Sequence, residues 1–268
     1  MRCDVYCYNH FSAPNKKKMK IVYFGFDLFA DCFSTLCNME NVEIMALYTF
    51  PTDNVFEFNR EVIAKAKEKG IPYYTEKITA EKLEEYFDKG CDITFSAGYI
   101  HKIPVLCRPD FKGINVHPAM LPIGRGAWPF PCTILKEHGK SGVTIHKITN
   151  RFDEGDILLQ KEFPVAKDET LDTLTEKAQK VAKTLTEECV NNFEVLWENA
   201  KPQGKGEYWA EPTNNDRIIT NDMTVVEAEK IIRAFGSFGC LYNNEEFKGK
   251  TNEVLEISLK DGKIKLKK

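Results

Sequence analysis

The feature that most constrains the fold is a short apolar run that recurs along the first half of the chain with helical stretches in between. Lys20, Ile21, Val22, Tyr23 and Phe24 follow one another with no polar face and stop at Gly25. A run this short, without alternation, predicts a strand buried on both faces. Residues 27–38 then carry Leu28, Phe29, Phe33 and Leu36 at helical spacing. Residues 42–48 predict a second strand, and residues 54–69 a charged amphipathic helix that Gly70 closes. A short strand at 71–74, a helix at 80–88 and strands at 92–96 and 113–116 continue the rhythm. This alternation predicts a mainly parallel, Rossmann-like α/β sheet with helices on both faces.

The pattern changes after residue 126. Residues 127–138 predict a helix, and 142–148 and 157–165 two strands joined by the polar turn 149–156, an antiparallel pair. Residues 169–199 predict one long helical stretch. Lys201-Pro-Gln-Gly-Lys-Gly206 has the composition of a linker. Beyond it, residues 207–268 predict a small, mostly β subdomain with one helix at 224–235 and a hairpin turning at Asp261-Gly262. The expected organisation is a disordered leader at 1–18, a catalytic domain at 19–200, a linker at 201–206 and the C-terminal subdomain at 207–268.

Several function classes lose support. Gly25 does not begin a G-x-G-x-x-G pattern, Pro129 stands where Gly124 and Gly126 would need a third glycine, and no G-K-[ST] occurs, which argues against nicotinamide and nucleoside-triphosphate enzymes. None of the five histidines forms a metal-binding pair and none of the nine cysteines a C-x2-C spacing, so no metal site is expected. The cysteines fall mostly in apolar or helical patterns, as small core residues of a reducing, cytoplasmic compartment do. The net charge of −3 shows no global attraction to nucleic acid, and no apolar stretch reaches the ~18 residues of a membrane span.

Two segments 38 positions apart carry chemistry, one around Asn115 and one around Asp153. Asn115 and His117 are two apart on an extended segment, so both side chains point the same way, and Pro118 ends the strand behind them. Strand carboxyl ends are where open α/β sheets bind ligands. The alternative is an Asn and a His that satisfy local turn hydrogen bonds. Asp153 lies in a turn with Glu154 and Asp156, which read alone is a solvated acidic loop.

Together these segments resemble the formyltransferase family that uses 10-formyltetrahydrofolate as donor, including glycinamide ribonucleotide transformylase, methionyl-tRNA formyltransferase and the sugar-nucleotide N-formyltransferases. Asn115-Val-His117-Pro118 with Leu121-Pro122 is similar to the family signature Asn-x-His-Pro-Ser-Leu-Leu-Pro. Arg125-Gly126-Ala127 with Pro129 resembles the segment that follows it, and Gly142-Val-Thr-Ile-His146 with residues 152–158 resembles the stretch carrying the catalytic Asp. The resemblance covers about residues 19–200. Ala119-Met120 replaces the usual Ser-Leu, and Ile123-Gly124 a more polar or aromatic pair.

The resemblance implies a formyltransferase sheet, with Asn115, His117 and Asp153 catalytic and 10-formyltetrahydrofolate as co-substrate. Asn115 and a protonated His117 would donate to the oxyanion, and Asp153 would orient the ring and accept the amine proton. By the same resemblance the loop holding Gly98, Tyr99, Ile100, His101 and Ile103 and the turn holding Phe152, Glu154 and Gly155 would enclose the pterin. His101 is either a contact or a surface loop residue, and His146 lies in a strand near Asp153, where it lines the folate cleft or is structural.

The tail bears on the acceptor. Residues 207–268 hold ten Lys/Arg against eleven Asp/Glu, a balance of −1, whereas a tRNA-binding appendage should be basic. Glu207-Tyr-Trp-Ala-Glu-Pro-Thr213 and Ile231-Ile-Arg-Ala-Phe235 resemble tail segments of the sugar-nucleotide N-formyltransferases and their tRNA-acting relatives, and with this charge balance the resemblance implies a small-molecule amine as acceptor, an amino sugar on a nucleotide. Initiator Met-tRNA is the alternative, since Lys260, Lys263, Lys265, Lys267 and Lys268 cluster at the end. A folate hydrolase using the same residues and a non-catalytic RNA-binding relative lie further off.

Overall fold

The computed structural model describes residues 17–52 and 59–268. Most of the leader expected at 1–18 and the start of the helix expected at 54–69 lie outside the described residues. In chain order the elements are β1 (Met19–Gly25), α1 (Ala30–Asn38), β2 (Val42–Tyr48), α2 (Glu61–Lys69), β3 (Tyr73–Tyr74), α3 (Ala80–Asp88), β4 (Ile93–Ala97), β5 (Gly113–His117), β6 (Ile123–Arg125), α4 (Pro129–Leu135), β7 (Lys140–Lys147) and β8 (Ile157–Pro164). Then follow α5 (Leu171–Asn191), α6 (Phe193–Glu198), β9 (Glu207–Tyr208), α7 (Val225–Phe235), β10 (Cys240–Tyr242), β11 (Glu245–Phe247), β12 (Val254–Ser258) and β13 (Lys263–Lys267).

Seven strands form one sheet in the order β3-β2-β1-β4-β5-β7-β8. The first five are mutually parallel, β7 runs antiparallel to β5, and β8 antiparallel to β7. The apolar runs of β1 explain why it sits in the middle. Ile21 and Tyr23 enter the core shared with α1 and α5, while Val22 and Phe24 enter a second core with Leu83, Tyr86 and Phe87 of α3. One strand feeds two cores because successive side chains point to opposite faces.

The sheet order reverses between β1 and β4, so their carboxyl ends face a crevice of the kind that binds ligands in open α/β sheets. The backbone there is tight. Gly25 bridges Gly98, and a Cβ on Gly25 would overlap the Ala97 carbonyl oxygen. Gly98 takes φ +80°, a left-handed conformation that glycine adopts without strain.

Helix ends follow their capping residues. Thr79 accepts from Lys82 N, Thr170 forms a reciprocal box with Thr173, and Gly70 closes α2 at φ +67°. The stretch expected as one helix over 169–199 breaks at Asn192, whose φ of −122° is not helical. After it, Ala228, Ile231, Ala234 and Phe235 of α7 pack into the same apolar cluster as Ile21 and Phe95, against α4 and α5. The hairpin expected at Asp261-Gly262 is present as β12–β13, and a further one, β10–β11, turns through Asn243 and Asn244 at φ +50° and +64°. Among the described residues no helix is long and apolar enough to cross a membrane.

Candidate active site

The site lies where β5, β7 and two turns meet. Asn115 and His117 project from β5, directly opposite His146 and Thr144 of the antiparallel β7. This register brings Asn115 Nδ2 to 3.2 Å from His146 Nε2. His146 Nδ1 lies 2.9 Å from the Lys147 carbonyl oxygen, which only accepts, so Nδ1 carries the proton and Nε2 presents a lone pair. That lone pair fixes the Asn115 amide with its NH2 toward the histidine and leaves the second N–H to point elsewhere.

Asp153 is the hub. Its Oδ1 stands 3.5 Å from His117 Nδ1 and 3.5 Å from His146 Nε2, and its Oδ2 accepts from Gly126 N at 3.0 Å. The residue adopts φ +56°, a left-handed conformation uncommon outside glycine. Gly155, two residues on, packs so tightly on the Lys147 carbonyl that a Cβ would overlap its oxygen.

Charge follows from burial. Asp153 is 8% exposed, and burial pushes its carboxyl up. The neighbouring His117 and His146 rings and the Gly126 N–H together outweigh that and hold it at about 2. His117 is 4% exposed, and burial lowers its pKa more than Asp153 and the Gly124 carbonyl raise it. The pair is under two opposing influences: the carboxylate favours a charged ring and burial a neutral one. The burial of the ring decides for a neutral histidine near pH 7, with Asp153 ionised and its Oδ2 held by the Gly126 N–H.

This departs from the protonated His117 expected from sequence. His117 Nε2 donates to the Gly124 oxygen at 2.7 Å, so in the neutral ring Nδ1 turns a lone pair toward Asp153. A proton arriving at either atom is shared by both.

Stability should carry this signature. His117 is lowered when folded, so the unfolded chain binds more protons as pH falls through the ordinary histidine value of 6.5, and stability drops with it. The Asp153 contribution is present above its ordinary 3.8 and lost as pH falls toward about 2. Urea midpoints are expected to fall between about pH 7.5 and about pH 5.5, and His117→Gln to flatten that slope; an equal slope in the variant would refute the neutral ring.

The loop from His117 to Arg125 is held from below. The Thr144 hydroxyl donates to the Ala119 oxygen at 2.7 Å and accepts from Leu121 N at 3.2 Å and from Gln160 Nε2 at 2.7 Å. Gln160 also donates to the Leu121 oxygen at 2.7 Å. Thus β7 and β8 carry the polar anchors of the loop. Met120, one of the departures from the family signature, packs where a Cβ on Gly142 would stand.

The expected pterin residues separate. Ser96 pairs with Asn115 across β4 and β5, which places Gly98 and Tyr99 just beyond the strand end beside the site. Tyr99 packs on Phe24 and His101 edgewise on Tyr99, while Ile103 is buried in the second core with Val22 and Phe24. Ile100 and Phe152 stand 63% and 56% exposed, two large apolar side chains facing solvent. Glu154 reaches Arg125 and Arg151, and Gly155 is buried under the turn. Two clefts of about 290 and 250 Å³ lie elsewhere and touch none of Asn115, His117, His146 or Asp153.

Sequence reasoning left His146 open and missed the Gly126 N–H and Gln203. His146 was visible only through the β5–β7 register, because the antiparallel pair expected from sequence joined β7 to β8 alone. Gln203 sits in a stretch with linker composition, yet its Nε2 donates to the carbonyls of Asp153 and Gly155 at 2.9 and 2.7 Å. No local pattern announces such a contact.

A family model described as formyl transferase matches residues 25–190. The methionyl-tRNA formyltransferase of Ehrlichia canis (strain Jake) is 31% identical over 189 residues, covering 66% of this chain but 62% of that protein, less than two thirds of its length. That of Ehrlichia ruminantium (strain Gardel) is 29% identical over 252 residues, covering 90% of this chain and 80% of that protein. Among solved structures, the N-formyltransferase of Helicobacter canadensis in complex with folinic acid and dTDP-3-aminofucose superposes with a TM-score of 0.66 at 21% identity, over 94% of this chain and 99% of that one. HypX from Aquifex aeolicus superposes with a TM-score of 0.69 at 16% identity, over 93% of this chain and 45% of that one. These two share the fold. With the family match spanning more than half of its residues, the chain belongs to the formyl transferase family.

Proposed function

We propose that the protein transfers a formyl group from 10-formyltetrahydrofolate to a primary amine, and that the acceptor is an amino sugar of a nucleotide sugar. The observation that carries the reaction is the Asp153 carboxylate held between two histidines, 3.5 Å from each, beside an Asn115 amide whose free N–H is fixed by His146. Formyl transfer needs both parts: a preorganised donor for the oxygen that gains charge and a place for the proton that the amine loses.

The donor fits the crevice between β1 and β4. Gly98 brings bare backbone to its edge, and Ile100 and Phe152 offer apolar surface to a flat ring. Tyr99, His101, Glu154 and Gly155 complete the surrounding loop and turn, while Ile103 supports that loop from the core. As the amine nitrogen bonds to the formyl carbon, Asn115 donates to the carbonyl oxygen. Asp153 takes the amine proton, directly or through a water, and shares it with His117 Nδ1. When the bond from the formyl carbon to the folate nitrogen breaks, the same proton goes to that nitrogen, and the site returns to its starting charge.

The near-neutral tail supports the small acceptor, with ten basic and eleven acidic residues from 207 to 268. Initiator Met-tRNA is the second reading. It is favoured by the curated relatives and by Lys263, Lys265 and Lys267, which are exposed on one face of β13. The test is consumption of 10-formyltetrahydrofolate with an amino-sugar nucleotide, with charged initiator tRNA and with no acceptor. Turnover with the sugar alone supports the proposal, turnover with tRNA alone transfers it to the second reading, and full-rate formate release without acceptor makes the protein a hydrolase. Asn115→Ala is expected to lose roughly 10²–10³ in kcat, about 3 kcal/mol of transition-state stabilisation; an unchanged kcat would remove Asn115 from the reaction.

A further inference from the structure

We propose that Gln203, fifty residues beyond Asp153 in sequence, is a positioning residue that holds the catalytic turn in its active shape. Its side chain is used at both ends. Nε2 donates to the carbonyl oxygens of Asp153 at 2.9 Å and Gly155 at 2.7 Å. Oε1 accepts from Arg125 Nε at 3.2 Å and from its second guanidinium nitrogen at 2.8 Å. The amide orientation is unambiguous, because backbone carbonyls only accept and a guanidinium only donates.

The turn needs such a partner. Asp153 is held at φ +56°, and non-glycine residues persist in that region only where surrounding groups over-determine them. Rotation of this backbone toward ordinary values would swing the carboxylate away from His117, His146 and the Gly126 N–H. Gln203 ties down the carbonyls of Asp153 and Gly155, the residues that flank Glu154, and Arg125, which it caps, also reaches Glu154 at 3.9 Å. Arg125 and Gly126 are adjacent, so one clamp holds both the carboxylate and the backbone N–H that binds it.

The clamp is kept in place by the chain that follows. Glu207 N donates to the Pro122 oxygen at 3.0 Å and Trp209 N to the Arg125 oxygen at 2.7 Å, forming the short parallel pair β6–β9.

This inference rests on Asp153 being the catalytic carboxylate, and the experiment separates the two. Gln203→Met keeps the length of the side chain and removes every hydrogen bond. The expected result is a fall in kcat of about 10–100-fold with KM for 10-formyltetrahydrofolate within about twofold of wild type. Hydrogen exchange at the Gly126 amide should accelerate about tenfold or more while the amides of β1 and β4 keep their protection. An unchanged kcat with unchanged Gly126 exchange overturns the proposal, as does a uniform loss of protection across the sheet, which would make Gln203 merely structural. Should Gln203→Met fail to fold, Gln203→Glu retains a partner for Arg125 and lacks the two donors, and the same readouts apply. If Asp153→Asn leaves turnover intact, the catalytic reading fails while the Gly126 exchange still reports whether Gln203 holds the turn.

Discussion

Replacing Asp153 by Asn is expected to lower kcat by about 10³-fold or more while leaving the fold intact. The two side chains have the same shape, and an Asn can still accept from Gly126 N through its amide oxygen. What disappears is the charge between two histidines. Without it nothing raises the pKa of His117 against its burial except the Gly124 carbonyl, so the ring becomes a still weaker proton acceptor. The carboxylate that would take the amine proton is gone as well. A proton taken instead by His117 Nδ1 or His146 Nε2 would leave a buried imidazolium with no carboxylate beside it. Steady-state rates at saturating donor and acceptor check this, with thermal unfolding as the control for folding. Turnover within about tenfold of wild type would remove Asp153 from the proton path.

Gly155→Ala is expected to act through stability, with a cost of about 3 kcal/mol and loss of most activity. A methyl group there would overlap the Lys147 carbonyl oxygen and stand 2.7 Å from its carbon, with a further contact to Thr149 at 3.1 Å. These neighbours are not flexible tips. Lys147 N donates to the Asp156 oxygen at 2.9 Å, its carbonyl anchors His146 Nδ1, and Gln203 pins the Gly155 carbonyl. Relief must therefore come from shifting β7 or the turn, and either shift disturbs the histidine that orients Asn115. Gly139→Ala serves as a control, since a Cβ there meets nothing within 4 Å. Urea midpoints of the two variants should differ clearly; equal midpoints would show that the turn yields without cost.

Much of the sheet was readable from sequence because β1 and β4 are short, largely apolar runs that stop at Gly25 and before Gly98. Ile21 to Phe24 have no polar face for the same reason that they serve two cores. That Asn115, His117 and Asp153 lie together was readable because spacing along one strand aligns the first two and the family resemblance adds the third. Three features escaped. Strands β6 and β9 have three and two residues, too few for a periodic pattern, and exist because the chain returns to the site. The ionisation state of His117 depends on total burial, which no local pattern encodes. The contacts of Gln203 join positions 50 residues apart through backbone carbonyls, which have no residue identity to read.

The pairing of β6 with β9 has a consequence for how such proteins can be recombined. A boundary drawn at residue 200 looks natural by composition, yet the nine residues after it supply the partners of Arg125, Asp153 and Gly155. A chimera that keeps the first 200 residues and borrows a foreign tail would inherit Asn115, His117 and Asp153 without the Gln203 amide that fastens the turn. Grafts between relatives of this fold should therefore be joined after Trp209, so that the clasp travels with the lock.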